Sequence, residues 1–198
     1  VIRYTADMTV PAAWPAAFKD AFIADMALRL ARAMPGLSAR AEVLAAAAAD
    51  ALAVAEAAED RAAGVTQDGS DEVVDLCNNA LAAAGAERDI GGLADGSREA
   101  SLCNRLYPLT RRALLAARPW AWAQATAAAS VAAGVTPETP YTAAYTVPAG
   151  ALSVTAALSS TGVQLPFAVR GAAVHVDGTA TVIRYTADMT VPAAWPAA

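Results

Sequence analysis

The sequence predicts an α+β fold, in which a four-helix, Ala-rich helical part precedes a small antiparallel β domain. Residues 16–118 carry apolar side chains at helical spacing among many alanines, a period typical of amphipathic helices. Beyond Trp120 the chain consists of short Thr/Val-rich segments separated by Pro, Gly or Ser, which indicate strands and turns. Charge divides at the same place, because residues 119–198 hold only five of the charged side chains (14 Lys and Arg, 19 Asp and Glu in all).

The first two predicted helices form a hairpin. Residues 16–34 place apolar side chains every four residues along one stripe, and Pro35-Gly36 ends this helix. Ser38 is predicted to cap an Ala-rich helix that runs to about Ala63. The short loop between them favours an antiparallel arrangement. The stripe consists of Phe18, Phe22, Met26, Leu30 and Met34, with Asp25 and Arg29 paired on the opposite side.

Two further helices follow. The third is predicted over about 71–84, capped by Ser70, ended by Gly85 and burying Val73, Val74, Cys77 and Leu81. The fourth begins after Ser97 and runs to about Arg118. Pro108 lies inside it and removes one backbone hydrogen bond, so we expect a kink or a split there.

Five strands are predicted beyond Pro119. Asp177-Gly178 separates the last two and is a strong signal for a two-residue hairpin. The predicted strands are 141–147, 152–158, 163–169, 173–176 and 179–186. The resulting domains are 1–64, a strand segment with the helical hairpin; 65–118, a two-helix part; and 119–198, the β-rich domain.

The β-rich domain is unusually poor in charge. No charged side chain falls between Thr139 and Val169, whereas a solvated surface normally carries many. We expect other subunits to cover much of this surface. The alternative is a Thr/Ala surface that is polar and neutral.

The residue types needed for common catalytic, cofactor or metal sites are scarce. Cys77 and Cys103 have no CxxC spacing and are expected to be buried and reduced. His175 is the one histidine in the sequence, and strand alternation predicts that it lies at the surface or in an interface. No phosphate-binding glycine motif is present and Lys19 is the one lysine. We therefore expect that the protein is not an enzyme and that it has no cofactor, no metal site and no membrane span.

The two ends of the sequence are identical. Residues 1–17 recur without change as residues 182–198, as happens when a circular sequence is followed once round and slightly beyond. We hypothesise that the ancestral ends lie near 62–69 and that related proteins are written as 65–198 followed by 18–64. Engineered permutation, natural rearrangement and joining of segments from neighbouring subunits are all open origins.

Three stretches together resemble a known family. Residues 90–123 contain an Asp-x-Ser turn and then Cys103, Tyr107, Arg111, Leu115 and Pro119 at intervals of four, with Trp120 next. This stretch resembles the N-terminal region of phage head-to-tail adaptors of the tail tubular protein A and tail accessory factor group. Residues 145–152 are similar to the same family's entry into a β segment, and residues 3–7 with 18–33 to its strand-to-helix ending. In this chain the family's order is circularly rotated. The C-terminal part of the family corresponds to residues 1–64 here, and its N-terminal part corresponds to residues 65–118.

The resemblance implies a virion structural protein assembled in the host cytoplasm. Such a subunit would form a ring, expected to be a dodecamer, under the portal protein, hold the tail or nozzle protein, and leave a lumen through which DNA passes without specific binding. It also marks possible interface residues, namely Tyr107, Arg111, Pro119, Trp120 and Trp122. Alternatively, Trp120 and Trp122 fill the core.

The sequence leaves two other functions open. The first is a β-rich carbohydrate- or partner-binding module on a helical stem, which needs exposed aromatic side chains in a groove. The second is a hydrolase acting on cell-wall sugars, which needs two carboxylates in a cleft. The few acids of the β-rich domain disfavour the second.

Overall fold

The computed structural model describes residues 14–58 and 70–188. Two compact units are present: a helical unit, described over 14–58 and 70–114, and a β unit, described over 115–188. Within the described ranges, four helices and two antiparallel sheets confirm the α+β class. The division lies after Leu114, a few residues before the predicted one.

The helices are α1 (Ala16–Ala33), α2 (Ala41–Ala58), α3 (Ser70–Ala84) and α4 (Arg98–Ala117). Short 3-10 turns cover Ser38–Arg40 and Ala121–Ala123. The predicted cap of α2 is wrong, because Ser38 lies within the first of these turns and α2 begins only at Ala41. The predicted extension of this helix to about Ala63 lies outside the described residues beyond Ala58.

Helix α1 lies at the centre of the helical unit. It packs against both α2 and α3, so it needs apolar side chains on more than one face. Four residues of the predicted stripe are at most 1% exposed, and Met34, just past the helix, is half-buried. The predicted pair is also present, with Arg29 Nε 2.7 Å from Asp25 Oδ2. The four buried stripe residues are Phe18, Phe22, Met26 and Leu30.

The ends of α3 follow local chemistry. Gly85 has φ of +90°, and its N–H donates to the carbonyl of Leu81, as does that of Ala86; this closes the helix as expected for a C-terminal glycine. Cys77 and Leu81 are fully buried, whereas Val73 and Val74 are only half-buried.

Helix α4 is continuous through Pro108, so the predicted split did not occur. Proline lacks the N–H that would bond to the carbonyl of Asn104. Asn104 is exposed, and water can therefore satisfy that carbonyl. The loss of one hydrogen bond on a solvated face is compatible with an uninterrupted helix.

The β unit contains two sheets. The first has the order β1 (Gln124–Ala128), β7 (Val182–Ala187), β3 (Ala151–Leu158) and β4 (Gln164–Leu165). The second has the order β2 (Ala143–Thr146), β6 (Ala173–Val176) and β5 (Phe167–Arg170). Every pairing between these strands is antiparallel.

Three strand predictions needed correction. Strand β1 was missed, because Thr126 is its one strand-favouring residue among Gln and Ala residues that carry little strand signal. The predicted strand 163–169 is two strands separated by Pro166, which cannot donate to a ladder. Asp177-Gly178 does not form a hairpin, since β6 and β7 belong to different sheets. Residues 177–181 instead carry the chain from one sheet to the other.

The two sheets share one hydrophobic core. Its buried members come from β2, β3, β6, β7 and the segment that crosses between the sheets. The Tyr145 hydroxyl accepts a hydrogen bond from the backbone N–H of Ala180 at 3.0 Å within this core. The members are Tyr145, Ala157, Val174, Val176, Ala180 and Ile183.

His175 is buried, which contradicts its predicted position at the surface or in an interface. It is 3% exposed, and all four residues of β6 are buried. Its Nδ1 accepts a hydrogen bond from the backbone N–H of Glu138 at 3.1 Å. Alternation fails as a guide here because β6 is the central strand of its sheet and is covered on both faces. The imidazole therefore holds the 138 segment against the sheet.

Replacing Tyr145 with Phe should destabilise the β unit by about 1–3 kcal/mol, because the buried N–H of Ala180 would lose its acceptor. Denaturant unfolding measures the change. Tyr141→Phe is the control, since Tyr141 is half-buried and no hydrogen bond of its hydroxyl is seen within residues 115–188. Equal losses in the two variants would contradict this account of the Tyr145 hydroxyl.

Candidate functional site

The residues of α4 that carry the resemblance to phage adaptors share one face of the helix. Cys103 and Leu115 are fully buried, and Tyr107 and Arg111 are each 8% exposed. A spacing of four residues stacks side chains along one side of a helix, as the sequence predicted. This face is a packing surface within the protein.

An aromatic cluster surrounds Tyr107 in the helical unit. The Tyr107 ring lies 5.1 Å from that of Phe22 and stacks on that of Trp14 at 6.4 Å. Trp14 also contacts Phe18 edge-on at 5.1 Å, while the Arg111 guanidinium lies 5.8 Å from the Tyr107 ring centre. Such aromatic and cation–π contacts add to the energy of burial.

Trp14 is the residue of this cluster that sequence reasoning missed. It is 3% exposed and precedes the first residue of the α1 stripe, Phe18, by four positions. The stripe therefore continues through Pro15, and this spacing was the available signal.

The other three motif residues belong to the β unit. Trp120 is 1% exposed and Trp122 is 9% exposed, with 6.2 Å between their ring centres. The Arg118 guanidinium lies 5.0 Å from the Trp120 ring centre. Pro119 is exposed. The five motif residues therefore form no single site within either unit. The burial of the two tryptophans agrees with the alternative interpretation, in which they fill the core.

The turn before α4 is built by Asp95 and Ser97. Asp95 accepts hydrogen bonds from the backbone N–H groups of Ser97 at 2.7 Å and Gly91 at 3.1 Å. The Ser97 hydroxyl, together with these N–H groups, lowers the pKa of the Asp95 carboxyl. Ser97 Oγ in turn accepts the N–H of Ala100 at 3.0 Å, the bond of a helix N-cap. The Asp-x-Ser motif is thus a helix-starting device.

Cys77 and Cys103 place two thiols together in the helical interior. Both are free and fully buried. Their mutual hydrogen bond, with burial, holds the pKa of the Cys77 thiol far above its ordinary value. The same hydrogen bond lowers the pKa of the Cys103 thiol. Both residues are closed to solvent, and a buried thiol is inert toward reagents, so the pair acts as core packing.

The exposed surface of α2 is mainly apolar, with three carboxylates on it. All its residues except Glu42, Asp50 and Glu56 are Ala, Val or Leu. Within α2, which the structure describes from end to end, Ala55 is the one buried residue. Val43 is 74% exposed and Val54 62%. We call this helix surface the α2 face.

No enclosed pocket of catalytic type stands out among the described residues. One hollow, of about 300 Å³, is open to solvent and is lined by residues of α1 and α3 that include Lys19, Asp20 and Asp75. In residues 14–58 and 70–188, no three His, Cys, Asp or Glu side chains are grouped so that they could hold a metal ion. No helix in these ranges is long and apolar enough to cross a membrane.

No family model matches the sequence, and no curated protein matches it. The likeness to phage adaptors rests on the three stretches of sequence described above. What the structure adds is the burial, contacts and exposure of the residues in them.

Replacing Ser97 with Ala should destabilise the helical unit by about 1 kcal/mol, because the N–H of Ala100 loses its cap. Ser101→Ala is the matched control, since Ser101 is exposed one turn later and donates only to the Ser97 carbonyl. Its effect should stay within about 0.5 kcal/mol. Thermal or denaturant unfolding measures both; a neutral Ser97→Ala would show that the Asp95 turn alone starts α4.

Neither thiol should react with a maleimide or an aromatic disulfide reagent in the native protein on a timescale of minutes. Both should react at once in denaturant, because unfolding exposes both buried sulfur atoms to the reagent. Mass spectrometry of the labelled protein counts the modified cysteines. Rapid native labelling of either residue would contradict the packed arrangement.

Proposed function

We propose that this protein is a structural head-to-tail adaptor subunit of a tailed phage or a phage-like particle. Copies of the chain form a ring under the portal protein, join it to the tail or nozzle protein, and leave a central channel for DNA. The observation that carries the proposal is the exposed α2 face. The sequence resemblance to phage adaptors suggests a ring assembly, in which a neighbouring copy would cover such a face.

A helix that is apolar on all sides is normally buried. Helix α2 is mainly apolar and departs from this rule, since Val43, Val54 and five of its eleven alanines face solvent and only Ala55 is buried. This mainly apolar surface also exposes the carboxylates of Glu42, Asp50 and Glu56, and an exposed apolar surface bordered by polar groups is typical of an interaction site. Alanine side chains also let a neighbouring backbone approach closely, which suits a tightly packed contact between copies.

A closed ring needs two different, complementary faces on each subunit. The β unit offers the second, because its surface is short of charge and exposes several valines. Val131 is 76% exposed and Val163 61%. In the proposed assembly the α2 face of one copy packs on the β unit of the next, and both apolar surfaces leave water together.

The net charge of −5 suits a channel for DNA. Carboxylates along a lumen repel phosphates, so DNA passes without adhering. The buried motif residues Tyr107, Arg111, Trp120 and Trp122 have a positioning role in this proposal. They fix α4 and the start of the β unit instead of contacting a partner. Pro119, the exposed member, remains a candidate contact residue.

The alternative function, a carbohydrate- or partner-binding module on a helical stem, draws less support. It requires aromatic side chains exposed in a groove. In the β unit, Trp120, Trp122 and Tyr145 are buried. Tyr141, Phe167 and Tyr185 are half-buried, so no aromatic side chain described between 115 and 188 is exposed. The adaptor proposal uses the apolar surface that is exposed, and we therefore prefer it.

The proposal is tested by the oligomeric state of the full chain. Negative-stain images and native mass measurements at high protein concentration, with and without a portal ring, should reveal rings of about twelve copies. A stable monomer under both conditions, above all one that binds an oligosaccharide, would contradict the adaptor function.

The double variant Val43→Glu/Val54→Glu should lower ring formation at least tenfold, because two buried, unpaired carboxylates would face a neighbouring copy. Helix α2 itself should persist, since glutamate is a good helix former. Leu109→Glu is the control, placing one new charge on a half-exposed α4 residue outside the α2 face. Analytical ultracentrifugation gives the assembled fraction; equal losses in both variants would remove the α2 face from the interface.

A further inference from the structure

Residues 133–141 form a loop against the three-stranded sheet, and we call them the 133–141 loop. Backbone hydrogen bonds fix both of its ends. The N–H of Ala132 donates to the carbonyl of Ala144, and the N–H of Thr142 to that of Val176, each at 3.0 Å. Between these ends every residue of the loop is exposed or half-buried. Its position therefore depends on a few contacts with the sheet.

His175 of β6 makes the central contact with this loop. The side chain is 3% exposed, and its Nδ1 accepts a hydrogen bond from the backbone N–H of Glu138 at 3.1 Å. Its ring centre lies 6.3 Å from that of Tyr141. Within 115–188, the other polar contact between the loop and a strand is the ion pair of Glu138 with Arg170 at 3.4 Å. Both of these side chains are more than half exposed, and such a pair stabilises little. The bond to His175 is thus the main polar attachment of the loop.

This hydrogen bond fixes where the imidazole carries its proton. A neutral imidazole has one N–H and one acceptor nitrogen. Because Nδ1 accepts the N–H of Glu138, the proton of neutral His175 is on Nε2. A second proton can bind only at Nδ1, the atom that holds the loop. Protonated His175 would direct an N–H at the N–H of Glu138, so the bond cannot coexist with the charged imidazole.

We propose that acidification releases the 133–141 loop from the sheet by protonating His175 at Nδ1. In the held state, the charged ring would be buried without an acceptor for its new N–H, which is unfavourable. In the released state, water solvates the charge. This inference is independent of the proposed function, because it rests on the β unit alone.

The charged and titratable groups around His175 do not reverse this effect. The residues directly opposite it on β2 and β5 are both alanines. Arg170 and Glu138 carry opposite charges and already pair with each other. Tyr141 contributes a neutral ring, and Asp177, two residues after His175, is exposed. None of the carboxylates described between 115 and 188 is buried, so solvent weakens their attraction for a buried imidazolium.

The sign of the pH dependence follows from the number of bound protons. The released state binds one proton more than the held state, so its population rises as the pH falls, at most about tenfold per pH unit. Histidine changes charge between about pH 5 and pH 8. Between about pH 7.5 and about pH 5, the released population should rise by up to about 30-fold, as expected for an imidazole of ordinary pKa near 6.5.

Release changes part of the surface that the β unit exposes. Val135 in the loop is 40% exposed, and Val131, just before it, is 76% exposed. A loop that leaves the sheet moves the first of these valines relative to the second. The arrangement of this apolar surface therefore becomes dependent on pH.

Hydrogen exchange with mass spectrometry on the full chain, at low protein concentration, tests the proposal. Peptides covering 133–141 report the loop, and peptides covering β3 and β7 report the rest of the β unit. Dividing each rate by the intrinsic exchange rate at the same pH removes the direct effect of acid. Since the sequence has one histidine, nitrogen NMR of the imidazole gives the tautomer and the protonation of His175 directly.

Two variants separate the imidazole from the nearby carboxylate. His175→Asn is the matched control, because its side-chain oxygen can accept the N–H of Glu138 but does not titrate. Its loop should stay protected at both pH values. Glu138→Gln removes the carboxylate and keeps the backbone N–H, so its loop should respond to acid as in the unmodified chain. Protection of β3 and β7 should persist in all three proteins.

In the unmodified chain, the corrected exchange of the loop should rise by up to about 30-fold in acid, over the pH range in which the imidazole gains its second proton. If His175→Asn does not fold, this coincidence in the unmodified chain decides the question. An imidazole that gains its proton while the loop stays protected would overturn the proposal. So would an equal acid response in folded His175→Asn, a loss of the response in Glu138→Gln, or a loss of β3 and β7 protection together with that of the loop.

Discussion

Strand β7 joins the parts of the β unit that would otherwise be separate. It pairs with β1 on one edge and β3 on the other, and Ile183 carries the core of the four-stranded sheet into contact with that of the three-stranded sheet. Thr186 adds a polar constraint, since Gln124 bridges it to Thr155 through hydrogen bonds of 3.0 and 2.6 Å. A shift of register by one residue would turn Ile183 away from the core, so this strand also fixes the alignment of its neighbours.

The helical unit depends on α1 in a similar way. Helix α1 packs on α2 and α3, and its Phe22 ring, together with Trp14 just before the helix, meets Tyr107 of α4. Most of the apolar surface of α1 is therefore buried within the helical unit. Helix α2 lies at the other extreme, with Ala55 as its one buried residue. A folded unit with one such helix on its outside is well suited to assembly, and this contrast links the fold to the proposed adaptor function.

Features set by neighbours in sequence were predicted well. The α1 stripe, the Asp25–Arg29 pair, the end of α3 at Gly85 and the start of α4 after Ser97 depend on residues at most a few positions apart. Two local predictions were wrong, the Ser38 cap and the Asp177-Gly178 hairpin. The other errors arose where distant segments meet. His175 was misplaced because β2 and β5 flank β6, and β1 was missed because its strand character comes from pairing with β7. For the candidate site, spacing identified one face of α4 but not that Trp14 and Phe22 cover it.

The sequence by itself determined the helix faces, the turn residues, the shortage of charge beyond Pro119 and the identity of the two 17-residue segments. It could not determine which copy forms β7, since both have the same side chains and the same intrinsic preferences. Tertiary structure decided that question, together with the exposure of α2 and the assignment of β6 and β7 to different sheets. The physical reason is that pairing and burial depend on where the chain connections bring a segment, and two identical segments differ in nothing else.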